Sequence, residues 1–365
     1  MLSYLLDLPR VRQYLLQAVR AGMVIESTRA DIGFLGQLRR GLLPLPFERP
    51  PADTDPFPRL RHRTLPALDG RRVAIIATGG SGVLASVVGV ARALEEFGVR
   101  PVGYGVCSGS ALFGVPLAAG MSPAEVAAAT LALRARDYID PDWWALASAP
   151  MRLGRGWSGL LRGDALEQTY RRMLGDVTLG ELPVPVWFPA FNIEDNRLEY
   201  LGPDTHPDLP AARAVRLALG LPIAIQPTEL DSGWWLDGGI VDILPSPPFS
   251  ATDRCDLALV VNGFYRRGFE ADREPSWRES TASILHIANQ SRTMHHVRLA
   301  RRNYDELCRA VPQVVELTPV DYAKAQGAGL YAEFLDNRSW PGYMRDGYHA
   351  ARAALLALPP PGGAG

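Results

Sequence analysis

Short apolar runs that stop at glycines alternate along this chain with longer amphipathic segments. RRVAIIATGG (71–80) is a β-branched run closed by two glycines, the pattern of a buried parallel strand entering a tight turn. SGVLASVVGVARALEEFG (81–98) predicts a helix ended by Gly98, PVGYGV (101–106) a second strand, and SGSALFGVPLAAG (108–120) a second helix. Strand, glycine turn and helix, repeated within fifty residues, predict a parallel α/β sheet. Further on, 184–193 and 197–202 predict two strands around a turn at 194–196. Residues 211–220 predict a helix stopped by Gly220 and Pro222, and 255–264 a buried strand. The Arg-rich segment 276–310 reads as a surface helix pair, and 343–357 as a last helix. Near the start, Leu5, Val11, Leu15, Leu16, Val19 and Met23 recur at helical spacing, and the proline-rich stretch 43–58 follows. The expected organisation is a helical extension with a Pro-rich linker over 1–70, one α/β domain over 71–358 and a disordered tail over 359–365.

Composition narrows the class. The 365 residues carry 38 basic and 39 acidic side chains, a formal net charge of −1, which argues against nucleic acid as a partner. Lys324 is the only lysine, so arginine supplies nearly all the positive charge. Cys107, Cys255 and Cys308 are too few and too scattered for a disulfide framework, and no Cys/His spacing suggests a metal site. MLSYLLDLPR makes a poor signal peptide, and no apolar stretch is long enough to span a bilayer. A cytoplasmic setting is the expectation.

Two junctions carry candidate chemistry. Gly105-Val106-Cys107-Ser108-Gly109-Ser110 lies between a predicted strand and helix, where a residue flanked by small groups forms an elbow above the sheet edge. Amides and dipole of the following helix favour negative charge there. Gly79-Gly80-Ser81-Gly82 lies at the equivalent junction of the first strand, where backbone N–H groups can turn toward an anion. A phosphate loop is the competing reading, but neither GK[ST] nor GxGxxG spacing is present.

With these motifs in place the chain resembles the patatin-like phospholipase family over about residues 72–356. GVARALEEFGV (89–99) is similar to the helix after that family's oxyanion loop, and GVCSGSAL (105–112) to its GxSxG elbow. AARAVRLALGLPIAIQP (211–227) resembles its helix leading into a proline-containing strand, WWLDGGIVDILP (234–245) its DG[GA] segment, and DGYHAARAAL (346–355) its last helix. The resemblance implies a three-layer α/β/α fold with a mainly parallel central sheet, a nucleophile–aspartate dyad and action on lipid acyl esters. It implies no cofactor and no metal. It places the nucleophile at Cys107, the base at Asp237, and the oxyanion hole at Gly79, Gly80, Ser81 and Gly82. The six histidines, His62, His206, His286, His295, His296 and His349, lie outside both motifs. Two loop positions depart from the family pattern: Val83 stands for a basic residue and Leu84 for glycine.

Cysteine at the elbow leaves three readings open: a working thiol nucleophile, a space-filling thiol in a silent elbow, or a displaced motif in which Ser108 reacts. The first is favoured, with Ser108 facing elsewhere. It gives an acyl hydrolase or acyltransferase working through a Cys107–Asp237 dyad and an acyl-cysteine. The alternatives are an acyl-thioester transferase or thioesterase, with coenzyme A or an acyl-carrier protein as partner, and a silent lipid- or acyl-binding protein. Trp143, Trp144, Trp157, Trp234 and Trp235 are candidates for an apolar wall or for transient membrane-surface contact. Trp234 and Trp235, together with Ser108, are the candidate substrate contacts.

Overall fold

The computed structural model describes residues 55–359 except 135–136, 149–150, 152–155, 252, 271–282, 326–332 and 335–336. The helices expected over 1–43, most of the proline-rich linker and the tail beyond 359 lie outside the described residues.

The strands are β1 (Val73–Ala77), β2 (Gly103–Gly105), β3 (Gly159–Leu161), β4 (Val186–Asn192), β5 (Arg197–Leu201), β6 (Ile223–Ile225), β7 (Thr228–Leu230), β8 (Gly233–Asp237), β9 (Leu257–Val261) and β10 (Gln313–Leu317). Eight of them form one sheet in the order β10-β9-β1-β2-β4-β8-β7, with β5 also paired to β4. β10, β9, β1, β2 and β4 run parallel, whereas β5, β8 and β7 add antiparallel pairings at the β4 side. β3 and β6 make a separate parallel pair.

Helices cover both faces. They are α1 (Ser86–Glu96), α2 (Ala111–Ala118), α3 (Pro123–Leu131), α4 (Trp143–Ser148), α5 (Asp164–Leu174), α6 (Ala211–Ala218), α7 (Pro247–Ser250), α8 (Ser283–Ala310) and α9 (Trp340–Leu356). Alternation along the central strands divides the core. Val73, Ile75 and Ala77 of β1, with Leu257, Leu259 and Val261 of β9, pack in one cluster with α1, α2, α3, α6 and α9. Ala74 and Ile76, with Ala258 and Val260, face a second cluster that holds Phe249 of α7 and Val297, Ala300 and Leu307 of α8. β1 is buried throughout because both faces are covered, which is why its sequence is uniformly apolar rather than alternating. The result is the expected three-layer α/β/α arrangement.

α1 and α9 cross in close contact. A Cβ added to Gly89 would lie 1.9 Å from the Met344 carbonyl oxygen, and one added to Gly347 would lie 2.1 Å from that of Ser86. Backbone meets backbone there, so only glycine fits.

Two elements differ from expectation. The helix predicted over 81–98 begins as a 3-10 turn, Ser81–Ala85, and becomes α-helical only at Ser86. The turn is held from outside: a Cβ on Gly82 would lie 2.2 Å from Trp340 Nε1 and 2.1 Å from the Glu333 carbonyl oxygen. The predicted helix pair over 276–310 is, in its described part, the single helix α8, since no glycine or proline between 283 and 310 interrupts it. Among the described residues no helix is long and apolar enough to cross a membrane.

Candidate active site

β1 and β2 end side by side, and their C-terminal ends carry the two motifs. This is the edge of a parallel sheet where loops and helix N-termini converge. After Gly105 the chain continues extended through Cys107 (φ −142°, ψ 135°) and turns at Ser108, whose φ is +48°. A non-glycine residue in that region costs about 1–3 kcal/mol and persists only where its surroundings enforce it. Here they do. The Cys107 N–H donates to Ser110 Oγ at 2.7 Å, and the Ser110 hydroxyl donates back to the Cys107 carbonyl at 2.8 Å. Gly109 sits against the other loop, where a Cβ would fall 2.4 Å from Ser81 Cα. The tip of the elbow is therefore Ser108, with α2 beginning at Ala111 behind it.

Asp237 closes β8. Its backbone N–H donates to the Gly220 carbonyl at 3.1 Å, and its carboxylate accepts from the Gly239 N–H at 2.7 Å. The side chain is 1% exposed, and burial raises its pKa to about 7 against the opposing pull of the nearby Ser108 hydroxyl and the Gly239 N–H. Gly239 is a spatial requirement of the turn, since a Cβ there would lie 2.7 Å from Cys107 Sγ.

Cys107 is fully buried, and its thiol donates to the Asp242 carbonyl at 3.7 Å. Burial, then the negative charges of Asp237 and Asp242, push its pKa well above the usual thiol range, with only the Gly79 N–H opposing. The thiol is held protonated and out of solvent, whereas Ser108 is partly exposed. The expectation that Ser108 faces elsewhere does not hold. The Ser110 hydroxyl fixes Cys107 in extended backbone and moves the turn one residue along.

The oxyanion segment also needs correction at one position. The Gly79 N–H donates to the Ile243 carbonyl at 3.2 Å and points toward Cys107 Sγ, so it is already engaged. Gly80 (φ +139°) and Ser81 (φ +59°) turn the loop sharply over Gly109. The Ser81 hydroxyl is buried with no partner among the described residues. Trp235 is 3% exposed, with its indole N–H donated to the Leu230 carbonyl at 3.0 Å, so it belongs to the core; Trp234 is half-exposed. Of the histidines, His206 pairs with Asp231 at 3.2 Å and His296 with the Tyr265 hydroxyl at 2.9 Å.

Sequence reasoning missed a second buried carboxylate. Asp242 accepts from Tyr200 Oη, from Asn303 Nδ2 at 2.7 Å and from the Leu244 N–H at 3.1 Å. Burial lifts its pKa to about 6. Its only sequence signal is an aspartate five residues after Asp237, and Asn303 comes from a distant helix.

The family model for patatin-like phospholipases matches residues 75–249, the stretch that holds both motifs and the aspartate. That stretch belongs to the patatin-like family. Uncharacterized NTE family proteins of Mycobacterium bovis and Mycobacterium tuberculosis are each 29% identical over 210 residues, covering 56% of this chain. The match spans 53% of their length, about half. Among solved structures, VipD from Legionella pneumophila aligns with a TM-score of 0.43 and 14% identity, over 79% of this chain and 67% of that one. Human GIVD cytosolic phospholipase A2, in complex with methyl gamma-linolenyl fluorophosphonate, aligns with a TM-score of 0.39 and 11% identity, over 94% and 63%. Within the matched stretch the elbow, the glycine-rich loop and the DGG turn converge on one point of the sheet edge.

Proposed function

We propose that this patatin-like chain hydrolyses lipid acyl esters through a Ser108–Asp237 dyad. The observation that carries the reading is that Ser108 is at once the left-handed tip of the elbow, partly exposed and beside the Asp237 carboxylate, whose charged form its hydroxyl favours. Ser108 Oγ attacks the ester carbonyl carbon while its proton passes to Asp237. The negative oxygen of the tetrahedral intermediate is met by backbone N–H groups of Gly80, Ser81 and Gly82. The intermediate collapses with loss of the alcohol, which recovers the proton from Asp237, and leaves an acyl-serine. Water, deprotonated by the same carboxylate, then releases the fatty acid. A base with a pKa of about 7 suits both proton transfers near neutral pH.

Lipid as substrate is supported by the family and by an apolar surface. Trp143, Trp144, Met151, Trp157, Leu160 and Ile223 expose their side chains on or beside α4, β3 and β6. Ile223 lies three residues beyond Gly220, whose carbonyl holds the Asp237 N–H. Tryptophan-rich patches favour the bilayer interface, so this face docks on membrane beside the dyad. Three free cysteines support a reducing, cytoplasmic setting.

The test is covalent trapping. Parent, Ser108→Ala and Cys107→Ala are exposed to an alkyl fluorophosphonate and assayed on a soluble short-chain ester. An adduct on Ser108, absent from Ser108→Ala and retained in Cys107→Ala, is expected, with turnover lost by about a thousand-fold or more only in Ser108→Ala. An adduct on Cys107 would instead support the thiol route, with coenzyme A or carrier-protein thioesters as its donors. No adduct and no turnover in the parent would leave a lipid-binding protein.

A further inference from the structure

A cleft of about 450 Å³ lies at the C-terminal end of α1, lined among others by Arg59, Arg61, Arg63, Arg92, His349 and Arg352. α1 starts at Ser86 directly after the oxyanion turn and ends at Glu96 on the cleft. The helix separates the two places by about 15 Å. The N-terminal segment leading into β1, the C-terminal end of α1 and the latter half of α9 build the walls.

The charges in this cleft do not balance. Glu96 is taken up from three sides, by Arg63 Nε at 3.2 Å, by Arg352 Nε at 3.3 Å and by the Tyr348 hydroxyl. Arg92 is paired with Glu95 at 2.7 Å and also donates to the Pro58 carbonyl at 3.0 Å. Five guanidinium groups thus share two carboxylates. Arg59 and Arg61, both exposed, have no carboxylate partner among the described residues. Like charges gathered round a concave wall repel one another unless an anion enters. Arginine rather than lysine matters, because the planar fork matches the paired oxygens of a phosphate.

We infer that the cleft bounded by Arg59, Arg61, Arg63 and Arg352 binds a phosphate-bearing ligand, at a site separate from the ester-cleaving dyad. The excess of three positive charges suits a phosphate monoester or diphosphate better than a single carboxylate. The volume leaves space for the group to which the phosphate is attached. The same chemistry is offered by a lipid headgroup and by a soluble phosphate.

Two arms separate these sources, each run on the full chain and on Arg59→Ala/Arg61→Ala. Isothermal titration with sodium pyrophosphate reads the soluble form. Co-sedimentation with phosphatidylcholine vesicles, with and without phosphatidic acid, reads the headgroup, and the difference between the two vesicle types removes any binding by the tryptophan face. Binding by the parent in at least one arm is expected, weakened about ten-fold or more in the double variant and by added salt. Pyrophosphate binding alone identifies a soluble ligand, and phosphatidic-acid-dependent sedimentation identifies a lipid. Hydrolysis of a soluble ester should be the same in both proteins, since both arginines are exposed and remote from Ser108. No binding in either arm, or equal binding by parent and double variant, would overturn the inference.

Discussion

Replacing Asp237 by asparagine should abolish turnover and yet make the protein more stable at alkaline pH. The carboxyl group is buried and its pKa is raised from 3.8 to about 7. In the unfolded chain it ionises near pH 4; in the folded chain it holds its proton until about pH 7. Between those values the folded state binds more protons, so the contribution of Asp237 to stability is complete below about pH 4 and is lost as pH rises through about 7. At about 1.4 kcal/mol for each pH unit of the difference, carrying an ionised Asp237 costs the folded chain about 4 kcal/mol. The asparagine side chain keeps an oxygen to accept from the Gly239 N–H and never ionises. The stability of Asp237→Asn relative to the parent should therefore increase by about 4 kcal/mol between pH 4 and pH 8. Asp242, also raised by burial, is present in both proteins and cancels. Urea unfolding at the two pH values, with fluorescence and circular dichroism followed together, measures this difference. A difference that does not change with pH, or that falls as pH rises, would show that the Asp237 pKa is not raised and would remove the case for it as a base at neutral pH.

The same carboxylate sets the pH–rate profile. The kcat/KM for a soluble ester should climb through about pH 7 to a plateau, and a profile flat from about pH 5 to 8 would count against Asp237 as the base. The crossing of α1 and α9 offers a paired stability test in one helix. Gly347→Ala should lower stability by about 3 kcal/mol, because its Cβ would fall 2.1 Å from the Ser86 carbonyl oxygen. Gly342→Ala, with nothing within 4 Å, should raise it by about 0.5–1 kcal/mol. Equal urea midpoints for the two variants would refute the close crossing. Trp143→Ser/Trp144→Ser should reduce sedimentation with phosphatidylcholine vesicles and hydrolysis of vesicle lipid, with the soluble ester cleaved at the parent rate. An equal loss on both substrates would place these residues in the fold rather than at a membrane.

The two junctions that matter are legible in the sequence because parallel strands buried on both faces leave plain apolar runs, and the glycines closing them mark the turns. Asp237 is legible through Gly238 and Gly239, which tertiary contact makes obligatory: a Cβ on Gly238 would meet the Pro189 backbone at 2.4 Å. The position of the elbow tip is not legible. Cys107 and Ser108 are adjacent and similar in size, and the choice is made by a hydrogen-bonded clamp from Ser110 that no spacing rule encodes. Asp242 is hidden for a different reason: the groups that hold it, Tyr200 and Asn303, lie 42 and 61 residues away in the chain. The arginine cleft is hidden for the same cause, being assembled from the segment before β1, the end of α1 and the latter half of α9.

Strand order also has a consequence for the protein during its synthesis. Ser108, Asp237 and the glycine-rich loop have all been translated once residue 239 is added. β1, which carries that loop, has β9 as one of its two neighbours in the sheet, and α1 is clamped by α9, which begins only at Trp340. A growing chain therefore contains Ser108, Asp237 and the loop about twenty residues before it contains β9 and more than a hundred before it contains α9. Pairing across such a separation is slow and comes late. If the proposed dyad is the active site, a ribosome-bound fragment lacks a complete site until α9 has docked on α1.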